Sequence, residues 1–192
     1  VSDTHLQLSL ARLPAMATLV LTVTGADRAG LVSSLSTSVA DHGGSWLTSR
    51  MARLAGTFAG VVLVEVPDER VEAFRDGVSQ LSATGLDVAV KAAGAASVYA
   101  GIPLRLNLIG HDRPGIVHQI SAALAAHGAS FEQLETRTRE APMSGGVLFE
   151  VEADVIAPSS ADVPALHSAL EAIADELMVD IELTDPARPA HP

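Results

Sequence analysis

The segment TLVLTVTGADRAGLVSSLSTSVADHGGSW, residues 18–46, recurs without a gap as PLRLNLIGHDRPGIVHQISAALAAHGASF, residues 103–131. The offset between the two copies is 85 residues. Identical pairs include Gly25/Gly110, Asp27/Asp112, Arg28/Arg113, Gly30/Gly115, His42/His127, Gly43/Gly128 and Ser45/Ser130. A repeat of this length indicates that the chain contains two copies of one structural module.

The hydrophobic period changes within each copy. Leu19, Leu21 and Val23 alternate with more polar residues, which predicts a strand. The next segment has helical spacing, which predicts an amphipathic helix with one apolar face against the core. That face comprises Leu31, Val32, Leu35 and Val39 in the first copy, and Ile116, Val117, Ile120 and Leu124 in the second. Gly43 and Gly128 follow at positions typical of helix C-termini.

The rest of each copy reads as a hairpin, a second helix and a short last strand. The predicted ranges are 45–54, 58–66, 69–82 and 86–91 in the first copy, and 130–139, 146–153, 162–177 and 179–184 in the second. The order is βαββαβ, an α+β, ferredoxin-like unit with both helices on one face of an antiparallel sheet. A short linker would let the two sheets join edge to edge. The predicted boundaries are an extension at 1–16, modules at 17–92 and 103–184, a linker at 93–102 and a disordered tail at 185–192.

The 85-residue register also aligns Val64-Glu65-Val66 with Phe149-Glu150-Val151 in the third strand. The last strands align only after a further shift of eight residues. The sequence therefore predicts that the second copy carries its insertion after that strand, around residues 156–160.

Composition excludes several classes of function. The net charge of −11 disfavours nucleic acids and anionic membranes, and the 3% aromatic content leaves few platforms for stacking bases. The absence of cysteine excludes disulfides and thiolate chemistry and favours a reducing, cytoplasmic location. No apolar run approaches the roughly 20 residues of a membrane span, and no signal peptide is evident.

The first loop is the best-matched chemical feature of the repeat. It reads Asp27-Arg28-Ala29-Gly30 in one copy and Asp112-Arg113-Pro114-Gly115 in the other. It joins a strand to a helix N-terminus, where free N–H groups and the helix dipole favour an anion such as a carboxylate. Pro114 is compatible with a first helical turn. The alternative is purely structural: the two aspartates are N-caps and the glycines serve close packing.

The two G-x-D-R-[AP]-G-[LI]-V loops, each followed by H-G-x-S, closely resemble the ACT domain, a ferredoxin-like regulatory module that typically binds amino acids. The resemblance covers about residues 17–184. The hairpin sequences SRMARLAGTFAGVVLVEVP and LETRTREAPMSGGVLFEVEADV are similar to those of the tandem ACT proteins grouped with the glycine cleavage system transcriptional repressor.

The resemblance implies a ligand between the first loop of one module and the second strand of its neighbour. The implied ligand-binding residues are Asp27, Arg28, Ala29, Gly30 and Leu31, then Asp112, Arg113, Pro114, Gly115 and Ile116, with Ser45 and Ser130 at the strand starts. Many ACT domains carry Asn-Ile at that strand start, whereas this chain has Ser45-Trp46 and Ser130-Phe131. We expect Trp46 and Phe131 to face the core.

The second strands carry four arginines, Arg50, Arg53, Arg137 and Arg139. We expect them to lie on a solvated sheet face; the alternatives are that they meet carboxylates or a protein partner. The histidines show no metal-ligand spacing, and His42 and His127 suit helix C-termini. Ala26/His111, Ala29/Pro114 and Ser33/His118 make the two loops unequal.

The resemblance implies a non-enzymatic regulatory protein that binds a small amino acid, with glycine the first candidate, and acts through a regulatory protein partner such as a transcription factor. It implies no cofactor, no metal, no direct contact with nucleic acid or membrane, and a possible homodimer. The alternative is the regulatory portion of an amino-acid or one-carbon metabolism enzyme acting in trans. After the modules are assigned, no stretch remains for a catalytic domain. A nucleic-acid binder on the same fold would need aromatic strands that this sequence lacks.

Overall fold

A computed structural model describes residues 15–94, 101–141 and 145–186. These residues form two compact units, one from each copy of the repeat. Most of the predicted N-terminal extension, of the linker and of the C-terminal tail lies outside the described residues; Met16, the last residue of the predicted extension, belongs to the first strand.

Each unit has the predicted βαββαβ order. Unit 1 contains β1 (Met16–Ala26), α1 (Leu31–Asp41), β2 (Ser45–Leu54), β3 (Thr57–Pro67), α2 (Val71–Ser79) and β4 (Leu86–Ala92). Unit 2 contains β5 (Gly101–His111), α3 (Ile116–Ala126), β6 (Ser130–Glu140), β7 (Val147–Pro158), α4 (Val163–Leu177) and β8 (Val179–Thr184). The antiparallel sheets have the orders β2-β3-β1-β4 and β6-β7-β5-β8. The α+β fold class is confirmed.

The core of unit 1 lies between its helices and one face of its sheet. Leu31, Leu35 and Val39 of α1 are buried with Leu21 of β1 and Phe74 of α2. Unit 2 repeats this arrangement around Ile116, Ile120, Leu124, Leu106 and Leu166. Burial of each such side chain stabilises the folded state by about 1.5–3 kcal/mol. Trp46 and Phe131 pack against these cores as predicted.

Val32 and Val117 do not belong to the buried helix faces, contrary to prediction. Their side chains are 44% and 38% exposed, whereas the preceding Leu31 and Ile116 are each 2% exposed. Successive helical residues point about 100° apart, and the orientation of each helix turns the first residue of the pair toward the sheet and the second toward solvent.

The insertion in the second copy lies in the β6–β7 hairpin turn, not after β7 as predicted. Gly25 pairs with Phe58 in unit 1, whereas Gly110 pairs with Phe149 in unit 2. The third strands therefore align with an offset of 91 residues instead of 85. Strand β7 continues to Pro158, so Ile156 and Ala157 are strand residues rather than inserted loop.

The predicted eight-residue shift of the last strands is confirmed. Gly25 pairs with Leu86, and Gly110 pairs with Val179. Val179 lies 93 residues after Leu86, which is the offset of 85 residues plus the predicted eight. Strand β5 begins at Gly101, so Gly101 and Ile102 belong to the sheet rather than to the predicted linker.

Candidate functional site

The first loop of unit 1 is tied to three neighbouring segments. The Asp27 backbone N–H donates to the Gly56 carbonyl at 2.8 Å, and the Asp27 carboxylate pairs with Arg53 Nε at 3.0 Å. The Arg28 guanidinium donates to the Thr84 carbonyl. These bonds join the loop to the β2–β3 turn, to the end of β2 and to the turn that precedes β4, so the loop is held in place without a ligand.

Gly30, and not Asp27, occupies the N-cap position of α1. Its φ of 92° is left-handed, and no side chain caps the first turn of the helix. Gly115 has the same role in α3 with a φ of 97°. The alternative in which Asp27 and Asp112 serve as N-caps is therefore wrong. A Cβ atom built on Gly30 would meet nothing within 4 Å, so a ligand can approach this backbone closely.

A cavity of about 280 Å³ lies beside this loop. It is lined by Arg28, Ala29, Gly30, Leu31, Val32, Ser33, Arg53 and Phe58. Leu31 offers mainly its backbone, because its side chain is buried in the core. Sequence reasoning did not place Val32, Ser33, Arg53 or Phe58 in the site. In the sequence, only Gly56 in the turn between β2 and β3 indicated that the end of β2 lies close to this loop.

The electrostatics of the cavity favour an anion. Two guanidinium groups line it, and the N-terminus of α1 adds unpaired N–H groups and a partial positive charge. A guanidinium has five donors, so Arg53 can hold Asp27 and still donate to a bound carboxylate. The arrangement can bind a small carboxylate.

The loop of unit 2 keeps the backbone and its own charges, Asp112 and Arg113, but lacks a counterpart of Arg53. The Asp112 N–H donates to the Val147 carbonyl at 2.8 Å, as Asp27 does to Gly56. Thr138 pairs with Phe149 in the position that Arg53 holds opposite Phe58, so the second cation is absent there. Arg113 makes no hydrogen bond within the described ranges.

Other residues of the second loop also differ from expectation. Pro114 precedes the helix, which begins at Ile116, instead of lying in its first turn. The Ile116 side chain is 2% exposed, so only its backbone can meet a ligand. In α3, Gln119 replaces Ser34, and its buried Oε1 has no hydrogen-bond partner among the residues that the structure describes.

Ser45 and Ser130 do not lie near the loop of their own unit. Each is the exposed first residue of its ten- or eleven-residue strand, whereas the loop of unit 1 contacts Arg53 near the end of β2. At about 3.3 Å per residue, the two ends of β2 are about 30 Å apart. Ser45 does not line the cavity of its own unit.

Arg53, Arg137 and Arg139 of the second strands meet carboxylates, and His42 caps a helix. Arg137 pairs with Glu150 and, at 3.1 Å, with Glu152, while Arg139 also holds Glu150. Arg53 pairs with Asp27 as described above. His42 Nδ1 lies 2.7 Å from the Ser38 carbonyl at the end of α1.

No three His, Asp or Glu side chains lie together as a metal site within residues 15–94, 101–141 and 145–186. In the same part of the chain, no helix is long and apolar enough to cross a membrane.

We expect Glu150 to titrate at a lower pH than an ordinary glutamate, whose pKa is about 4.3. Hydrogen bonds from Arg139 and then Arg137 lower the pKa of its carboxyl. The hydrogen bond with Glu150 in turn raises the pKa of Arg137. Because the pKa of Glu150 is lower in the folded than in the unfolded chain, its interaction with the two arginines stabilises the fold at neutral pH. That stabilisation is lost as pH falls through the folded pKa.

Carbon-13 NMR of the glutamate carboxyls measures the titration midpoint of Glu150. Arg139→Gln should raise it and Arg113→Gln should not; an unchanged midpoint in Arg139→Gln would contradict the assignment.

Comparison with known proteins identifies relatives of both units. The family model described as the ACT domain matches residues 17–91 and 103–184. The glycine cleavage system transcriptional repressor of Escherichia coli (strain K12) is 24% identical over 164 residues, which cover 83% of this chain and 85% of that protein.

Two solved structures resemble the chain over most of its length. The crystal structure of a protein described only as unknown, from Galdieria sulphuraria, is 30% identical with a TM-score of 0.80, over 89% of this chain and 99% of its own. A structure assigned as a glycine cleavage system transcriptional repressor is 18% identical with a TM-score of 0.67, over 88% of this chain and 96% of its own, and shows the shared fold.

Proposed function

The chain belongs to the ACT domain family, with two ACT domains in tandem, and we propose that it is a regulatory protein that binds a small amino acid. The observation that carries the proposal is the cavity beside the Asp27–Gly30 loop. It combines an uncapped helix N-terminus with two arginines in a space of about 280 Å³, which suits a ligand of few atoms. The relationship to a glycine cleavage system repressor makes glycine the first candidate.

In the proposed complex, the amino-acid carboxylate lies against the first N–H groups of α1, where the helix dipole favours it. Arg53 supplies a second, charged donor. The Asp27 carboxylate, already placed by Arg53, accepts a hydrogen bond from the ligand ammonium group. The absence of a Cβ at Gly30 leaves room for the ligand to reach the backbone.

We further propose that the chain acts by binding and passes the signal to a regulatory protein partner, such as a transcription factor, instead of catalysing a reaction. The charge of −11 supports a protein partner over direct contact with DNA, because phosphates would be repelled. The relationship to a transcriptional repressor along most of the chain supports the same reading.

The test is a titration of the nitrogen-15-labelled chain with each of the twenty amino acids, followed by amide NMR. Glycine or another small amino acid should shift the amides of residues 28–33. Arg53→Gln should weaken binding about tenfold, since a charged hydrogen bond contributes about 1.5–3 kcal/mol. The control is Arg139→Gln, which removes a paired arginine from a second strand of unit 2. The proposal fails if no amino acid shifts these amides.

A further inference from the structure

The sheet of unit 2 has one face turned away from its helices, and this face is strongly charged. Strand alternation puts Leu104, Leu106 and Leu108 in the core, and their neighbours on β5 point the other way. We call this surface the acidic sheet face. Its carboxylates are Glu135, Glu150, Glu152, Asp154, Asp180 and Glu182, and its arginines are Arg105, Arg137 and Arg139, a formal net charge of −3.

A groove of about 320 Å³ runs along the middle of the acidic sheet face. Asn107 and Ile109 of the central strand β5 line it between β7 and β8. Arg137 with Glu150 and Glu152 forms one wall, and Asp180 with Glu182 of β8 forms the other. The groove is therefore a structured depression in the sheet.

The two walls differ in how their charges are balanced. Glu150 and Glu152 are neutralised by arginines within the sheet face. Asp180 and Glu182 are exposed and have no ion pair or hydrogen bond to a side chain among the described residues. The β8 wall thus presents two uncompensated negative charges to whatever enters the groove.

Unit 1 shows that the fold does not require these charges. At the positions of Glu150, Glu152, Asp154, Arg137 and Glu182, unit 1 has Ala59, Val61, Leu63, Ala52 and Ala89. The same sheet forms with neutral side chains at these five positions, although Asp87 keeps the charge of Asp180. The charges that unit 2 adds at the five positions therefore call for a role other than folding.

We propose that the acidic sheet face is the docking surface for a basic segment of a protein partner, with an Arg or Lys side chain lying between the walls of β7 and β8. This inference rests on the proposed function, because it assigns a binding surface on this chain and a basic charge to the protein partner proposed there. Charge complementarity selects the occupant: a cation in the groove would balance Asp180 and Glu182 while the Arg137 pairs stay intact.

The same charges disfavour the other occupants. A second copy of the chain carries the same net charge of −11 and would bring like charges together on this face. Nucleic acid and anionic lipid surfaces would be repelled for the same reason.

The experiment titrates the full chain with a synthetic peptide of alternating arginine and alanine, eight residues long, and follows amide NMR shifts. We expect shifts concentrated at Asn107, Ile109, Asp180 and Glu182, with binding that weakens as salt is added. The double variant Asp180→Asn/Glu182→Gln should weaken binding at least tenfold. A peptide of alternating glutamate and alanine should not bind.

The matched control is Asp175→Asn/Glu176→Gln, which removes the same two charge types from the exposed end of α4 in the same unit. If this control weakens binding as much as the groove variant, or if the shifts spread over the whole surface, the docking proposal is overturned. An amino-acid response at residues 28–33 that persists without peptide binding would refute only the docking surface. Peptide binding at the groove without any amino-acid response would refute only the proposed ligand.

Discussion

Glycine, or whichever small amino acid proves to be the ligand, should raise the thermal unfolding midpoint of unit 1, and Gly30→Val should remove that rise. A ligand at one hundred times its Kd stabilises the folded state by about 2.7 kcal/mol. For a unit of this size, that corresponds to a shift on the order of 10 °C. Valine at Gly30 would fill the open space above the start of α1 and block the carboxylate from the N–H groups.

Trp46 provides the measurement, because it is the single tryptophan of the chain and packs against the core of unit 1. Its fluorescence is followed during heating with and without each amino acid. Gly30→Val is itself destabilising, since its left-handed φ of 92° strains a β-branched residue, so the comparison is always between the same variant with and without ligand.

The control for backbone strain is Gly145→Val. Gly145 also has a positive φ, 65°, and open space around its missing Cβ, but it lies in the hairpin of unit 2. This variant should keep the ligand-dependent rise of unit 1. A rise that survives in Gly30→Val would show that the ligand does not bind against the α1 N-terminus.

The fold could be predicted from sequence because the internal repeat reveals two copies of one module, and the hydrophobic periodicity within each copy identifies its strands and helices. The error in the third strand has a physical cause. The true alignment differs from the predicted one by six residues, and an even shift leaves every side chain on the same face of the sheet. Val64-Glu65-Val66 and Phe149-Glu150-Val151 have the same apolar-polar-apolar pattern, so the pattern alone could not reveal that the extra residues lie in the turn.

The site could be predicted only in part, for a different reason. Residues 27–31 are contiguous and carry a motif, so sequence reasoning could place them together. Arg53 and Phe58 reach the cavity through the pairing of β2 with β3, which depends on the whole sheet. A broad helical stripe predicts a core position for Val32, and only the orientation of α1 on the sheet shows its side chain to be exposed.

Gly25→Ala should destabilise unit 1 strongly, although it adds a single methyl group. Gly25 pairs with Leu86 where β1 and β4 cross closely, and the added Cβ would fall against the carbonyl oxygen of Gly85. Backbone atoms cannot rotate away as a side chain can, so the strands must separate. Overpacking of this kind costs about 1–3 kcal/mol.

The displaced segment also includes Thr84, whose carbonyl accepts the hydrogen bond from Arg28, so the candidate site should loosen together with the sheet. Urea unfolding followed by Trp46 fluorescence measures the loss. Gly94→Ala is the control, because its added Cβ meets nothing within 4 Å and its φ is not positive; we expect a change within about 0.5 kcal/mol. Equal midpoints for the two variants would mean that β4 can shift away from β1 at little cost, and that the close crossing does not hold the loop in place.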